Sequence, residues 1–177
     1  MPKLKNTPPK YRLHRASGQA VMENWDEPFA TARKLEQKGD LHGAALIYDE
    51  LVQRGIEQPK ILHRLAVCYD LTDRPQLSLP LYERALDLDP QNSDILCDLG
   101  YRLQLVGNMT AAERFYTQAL QYDQNHARAN NHLGVLLAQD DRNDQALRCF
   151  QAGGLNLWQA KRNLAIAVQN RDAGLAR

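Results

Sequence analysis

Long apolar runs are missing from this chain of 177 residues: no stretch approaches the roughly 18 consecutive apolar positions that a membrane-crossing helix needs. The first residues, MPKLKNTPPKYRLHR, are basic and broken by proline where a secretory leader would carry an apolar core, so a cytoplasmic location is expected. Cysteine is scarce. Cys68, Cys97 and Cys149 are odd in number, far apart and without a CxxC, which excludes a disulfide framework and a zinc ribbon and suggests small apolar fillers. Gly-rich phosphate loops, GxSxG and HExxH are absent too. The five histidines (14, 42, 63, 126, 132) are scattered; His126 and His132, six apart, would lie on different sides of a continuous helix and are expected at the surface. Asp140-Asp141 reads as a turn between helices rather than as paired catalytic carboxylates. No catalytic residue, metal ligand or cofactor site is expected, and the chain is not expected to be an enzyme.

What the chain does have is a period. In Ser93 to His126, Leu96, Leu99, Gly100 and Leu103 share a helical face, and after Gly107-Asn108 so do Ala112, Tyr116 and Ala119. The step from Gly100 to Gly134, repeated in the other direction, meets Ala66 and Ala32, so all four positions are small. The same step in the second half of the unit gives Ala44, Ser78, Ala112 and Ala146, with a large ring four positions on at Tyr48, Tyr82, Tyr116 and Phe150. Four in-register units are therefore expected over 25–58, 59–92, 93–126 and 127–160, each a helical hairpin too small to bury its apolar faces alone. Two prolines test this frame. Pro28 suits only a first helical turn, while Pro80 falls inside an expected helix beginning near Pro75 and predicts a local bend. Gly153-Gly154 cuts the fourth unit short. Beyond it, Asn156 is placed to cap a last helix over 156–171, with Trp158, Leu164, Ile166 and Val168 turned inward and Lys161, Arg162, Gln169 and Arg171 outward. Residues 173–177 are expected to fray.

The segments LHRLAVCYD with LPLYERALDLDP, CDLGYRLQLVGN with AAERFYTQAL, and NHLGVLLAQ with DQALRCF resemble the tetratricopeptide repeat, whose helix-turn-helix unit has the same period as this chain. That resemblance implies an all-α fold, a right-handed α-α superhelix (a TPR solenoid) of four helix-turn-helix repeats and a C-terminal capping helix, together making one domain over 23–172. The proline expected at the end of each unit is present only as Pro90, with Ile56, Gln124 and Trp158 at the equivalent places.

The resemblance also implies a function, binding a protein or peptide segment in a concave groove, as an adaptor, scaffold or assembly factor. The implied groove-facing positions are Asp26, Phe29 and Arg33; Lys60, His63, Arg64 and Val67; Asp94, Cys97, Tyr101 and Gln104; and Arg128, Asn131 and Val135. Phe29, Val67, Cys97, Tyr101 and Val135 would form an apolar floor with charged rims, suited to a peptide with aromatic and arginine anchors. One subgroup of the family grips the C-terminal carboxylate of chaperone tails. Its clamp positions fall on His63, Val67, Asp98, Arg128 and His132; only Arg128 matches and Asp98 would repel a carboxylate, so a chaperone tail is not the expected partner.

The formal net charge of +1 conceals an asymmetry, because residues 1–22 carry five cations and no acidic residue. Residues 1–10, rich in proline and lysine, are expected to be a disordered arm. The piece PPKYRLHRASGQAVM is similar to the N-terminal arm of bacterial tyrosine-type integrases, a likeness that stops short of any catalytic segment. This leaves an alternative reading, a nucleic-acid-associated protein that contacts its ligand through Lys10, Arg12, His14 and Arg15, with the repeats as platform. The sequence leaves the oligomeric state open.

Overall fold

The computed structural model describes residues 25–72 and 74–175, and among these it contains nine α-helices, one short 3-10 turn and no strand. The basic arm over 1–22, and with it Lys10, Arg12, His14 and Arg15, lies outside the described residues. No helix among the described residues is long and apolar enough to cross a membrane.

Two compact units divide the chain, one running up to Leu88 and one beginning at Asp89. In the first, α1 (Asp26–Gln37) pairs with α2 (Leu41–Gln53), α3 (Pro59–Asp70) pairs with α4 (Ser78–Leu88), and α2 also packs on α3. In the second, α5 (Ser93–Leu105) pairs with α6 (Met109–Tyr122) and α7 (Ala127–Gln139) with α8 (Asn143–Ala152). There α6 packs on α7, and α9 (Leu157–Leu175) lies against both α7 and α8.

Local chemistry sets the helix starts. Gly39 and Gly107 take φ of 82° and 83°, the left-handed region where glycine has no Cβ penalty, and the next residue caps the following helix. The Gly43 amide donates to Asp40 Oδ1 (2.9 Å) and the Ala111 amide to Asn108 Oδ1 (3.2 Å). At the matching turn of the fourth hairpin Asp141 holds φ at 58°, and Arg142 provides no side-chain cap for α8, a helix of only ten residues.

Each hairpin closes through the periodic small and large residues. Ala44, Ser78, Ala112 and Ala146 are sealed from solvent, as are Tyr48, Tyr82, Tyr116 and Phe150. The rings lie against the facing helix: a Cβ at Gly100 would stand 2.8 Å from Tyr116 Cε1, and one at Gly134 2.7 Å from Phe150 Cε1. A second regularity, not anticipated from the sequence, fastens the other end of each ring. The hydroxyls of Tyr48, Tyr82 and Tyr116 donate to Glu36 (2.6 Å), Asp70 (2.8 Å) and Gln104 (2.8 Å), in every case twelve residues earlier. The fourth hairpin has Ala138 and Phe150 at these places, so hydroxyl and acceptor are both missing.

Two expectations need correction. Pro80 is not in the interior of a helix begun near Pro75: Pro75–Leu77 form a 3-10 turn, α4 begins at Ser78, and Pro80 falls in the first turn of α4, where its absent N–H has no helical acceptor to lose. The last helix is capped as expected, by a reciprocal pair in which the Gln159 amide donates to Asn156 Oδ1 and the Asn156 amide to Gln159 Oε1, both at 3.0 Å. It continues, however, through Leu175, and its apolar residues do not share one inner side. Ala160 and Ala167 are buried and Leu164 and Val168 half-buried, whereas Trp158 is 68% exposed and Ile166 45% exposed. Arg171, expected outward, is turned back to pair with Asp141 and Asp172.

Candidate interaction site

The face formed by α1 and α3 in the first unit is held by one carboxylate. Glu36 accepts from Arg33 Nη1 (2.7 Å), from Arg64 Nε (3.1 Å) and Nη2, and from the Tyr48 hydroxyl. Burial works to raise the Glu36 carboxyl, but the hydrogen bonds from Arg64 and Tyr48 and the charges of Arg64 and Arg33 outweigh it and hold the group below its usual value. Burial and the same carboxylate push the Tyr48 phenol up. Arg33 and Arg64, expected as cations on the groove rim, are thus joined through Glu36, with Arg64 only 28% exposed in its side chain. Lys60 lies over two rings, its Nζ 4.2 Å from the Trp25 centroid and 4.9 Å from that of Phe29. Phe29 is half-buried between Trp25 (5.8 Å) and Tyr48 (5.7 Å), Val67 is half-buried, and His63 stands 6.0 Å from the Tyr82 ring.

The corresponding face in the second unit, on α5 and α7, alternates in charge. Arg128 donates to Asp94 (2.7 Å) and also binds Asp98, while His126 Nε2 lies 3.2 Å from Asp94 Oδ1. Burial acts to raise the Asp94 carboxyl, and the contacts with Arg128 and His126 overcome it, so the group is held below its usual value. The Ala129 amide donates to His126 Nδ1 (3.1 Å), making this histidine the N-cap of α7 and assigning its proton to Nε2. His126 is buried, against the expectation of a surface position, because it fills the start of α7 and reaches back to α5.

Tyr101 projects from this face, 41% exposed. Its ring is braced: His132 lies 4.9 Å from Tyr101 on one side and stacks on Tyr116 at 5.4 Å and 12° on the other. Burial, reinforced by the charge of Arg128, keeps the His132 imidazole below its usual pKa and therefore favours the neutral ring. Gln104 is occupied by the Tyr116 hydroxyl. Asn131 and Val135 are half-buried; Asn131 Oδ1 sits where a Cβ on Gly153 would come, at 2.6 Å. Cys97 is the clear departure. It is fully buried, its thiol pushed up to about 12 by burial, and so offers no surface to a partner, because α5 is flanked by both α6 and α7.

His132 and Glu36 were not anticipated as organisers. The only signals were an aromatic, Tyr101, on the first helix of the hairpin before His132, and a pair of arginines that meet Glu36 in space but are far apart in sequence. Among the described residues no three His, Cys, Asp or Glu side chains stand together so as to hold a metal ion.

Successive helical hairpins, each closed by a small residue against a ring, with a braced aromatic on a face of alternating charge, define a helical repeat scaffold. The chain belongs to the tetratricopeptide repeat family, whose model matches residues 29–93 and 97–153. Among solved structures it is similar to a MamA protein at 18% identity, over 85% of each chain, with a TM-score of 0.67. It is also similar to MamA from Desulfovibrio magneticus RS-1 (16% identity, 78% of this chain and 76% of that one, TM-score 0.65). A third likeness is to YrrB, described as a TPR protein with an unusual peptide-binding site (19% identity, 83% and 76% coverage, TM-score 0.62). At these identities the likeness concerns the fold. No curated protein matches the chain.

Proposed function

We propose that this protein is an interaction module that takes a segment of a partner protein along the α5 and α7 face, with Tyr101 as its anchor. The observation that carries this reading is the bracing of Tyr101 by His132 and Tyr116: an exposed aromatic ring already held in place loses little side-chain freedom when a partner covers it. Membership of a repeat family that serves protein interaction supports it, and so does the peptide-binding site in the description of YrrB. The α1 and α3 face, with Phe29, Arg33, Lys60, His63, Arg64 and Val67, is a second contact region on the same reading. A carboxylate clamp is disfavoured, since Arg128 is already bound by Asp94 and Asp98.

The test is affinity capture from a cell extract with wild-type and Tyr101→Ala baits, compared by quantitative mass spectrometry. Loss of a set of proteins from the variant, at unchanged helical circular dichroism, supports the assignment; equal retention by both sinks it. Arg64→Glu is unsuitable as a companion variant because it would set a second carboxylate against Glu36.

A second reading keeps the basic arm as a nucleic-acid contact, on the strength of its five cations and no acid. It requires DNA binding that weakens steeply with salt and disappears when residues 1–22 are removed.

A further inference from the structure

We propose that the bracing of Tyr101 is a pH-sensitive device: a proton on His132 breaks the row of rings beneath Tyr101, so the anchor is held ready at neutral pH and let go in acid. This deepens the proposed function and rests on it for its consequence, since Tyr101 is the residue taken there to meet a partner. The geometry is a row of three rings, with His132 of α7 between Tyr101 of α5, at 4.9 Å, and Tyr116 of α6, at 5.4 Å. The two outer rings are not fixed alike. Tyr116 is sealed from solvent, fills the space beside Gly100 and donates its hydroxyl to Gln104, whereas Tyr101 is half-exposed and rests on His132. Removing the middle ring therefore loosens Tyr101 and leaves the closure of the hairpin in place.

A neutral imidazole suits this place and a charged one does not. His132 is half-buried, and Arg128 stands one turn earlier on the same helix. Burial, then Arg128, oppose a proton on the ring, as does His126 when charged. The carboxylate that would welcome the proton, Asp98 of α5, is already bound by Arg128. Asp94, also on α5, is taken by Arg128 and His126. The Cys97 thiol of α5 and the Tyr116 phenol of α6 are pushed up by burial and stay neutral across the histidine range, so neither supplies a counter-charge. Once protonated, the imidazole gains by turning out to water, and Tyr101 loses its support. One pH unit below the midpoint of His132, about a tenth of the molecules keep the neutral ring, so a partner that needs the braced anchor binds about tenfold more weakly.

Nuclear magnetic resonance of the full chain, titrated from about pH 7.5 to about pH 5, tests this without a partner. His132 is expected to titrate below about pH 6.5, and the Overhauser contacts of its ring with Tyr101 to disappear with the same midpoint, while those between Tyr116 and Gly100 remain. His132→Phe keeps a ring between the two tyrosines that takes no proton, and in this variant the contacts of position 132 with Tyr101 should persist throughout. Ring contacts that survive the protonation of His132, as they would if the tyrosine faces held the cation, overturn the proposal. A variant that loses them in acid overturns it too, because another group would then drive the change. Wild type and His132→Phe as capture baits read the consequence: proteins that depend on Tyr101 should be released in acid by wild type and kept by the variant, and release by both alike counts against the device. If Tyr101→Ala loses no protein at neutral pH, the partner site fails by itself, and the resonance titration still decides the device.

Discussion

Tyr48, Tyr82 and Tyr116 each donate to an acceptor twelve residues earlier, yet the acceptors are Glu, Asp and Gln, which is why no repeated letter betrays the bond in the sequence. Only the geometry of two crossing helices makes the three equivalent. Phe150 faces Ala138 instead, and a hydroxyl added there would be buried without an acceptor. Phe150→Tyr is therefore expected to destabilise the protein by about 1–3 kcal/mol in urea denaturation, although Tyr is the residue at the other three positions. The carboxylates make a separate prediction. Glu36 and Asp94 are both held below their usual pKa, so their contribution is complete above about pH 4 and is lost as pH falls through their folded-state values. Melting temperature should drop on acidification. Glu36→Gln should melt below wild type at neutral pH, with the gap closing in acid; a gap of constant size at all pH values would contradict the role given to Glu36.

The helices were largely legible because their punctuation is local. Gly39-Asp40 and Gly107-Asn108 mark turn and cap by chemistry that needs no distant partner, and Asn156 announces α9 in the same way. Where a helix boundary depends on how two prolines share one turn, as at Pro75 and Pro80, the sequence allows a bend and the chain instead changes from 3-10 to α. The last helix outruns its expected end for a physical reason: Arg171, counted as a solvated cation, is tied to Asp141 and Asp172 and lies on a helix that continues to Leu175. Its start rests on the Asn156–Gln159 pair. Asn156→Ala is expected to cost about 1 kcal/mol and to speed amide exchange in the first turn of α9 while leaving α5 and α6 unchanged, as hydrogen exchange would show.

At the scale of the molecule, the repeat step was readable because burial acts on every unit alike, so small residues and rings recur in phase. The candidate interaction face was readable only in part. Tyr101 could be placed there by register, but the closure of Cys97 by two flanking helices and the occupation of Arg64 by Glu36, 28 residues away, are long-range facts that register cannot carry. Energetics in such a chain are dominated by nearest neighbours. Gly100→Leu, which must displace the Tyr116 ring, is expected to cost about 1–3 kcal/mol and to raise exchange in α5, α6 and α7, while amides of α1 and α2 keep their protection. Uniform loss of protection along the chain would refute that locality.

The caps at Asn92 and His126 stand one full repeat apart, and each accepts the amide three positions ahead at the start of a helix on the same face. A tandem duplication of 93–126 would therefore join its copies cap to helix without a new turn having to be invented. Each added copy would bring its own Gly100 and Tyr116, and a second Tyr101 one step further along, so the chain is built to be lengthened by copying as readily as by point change.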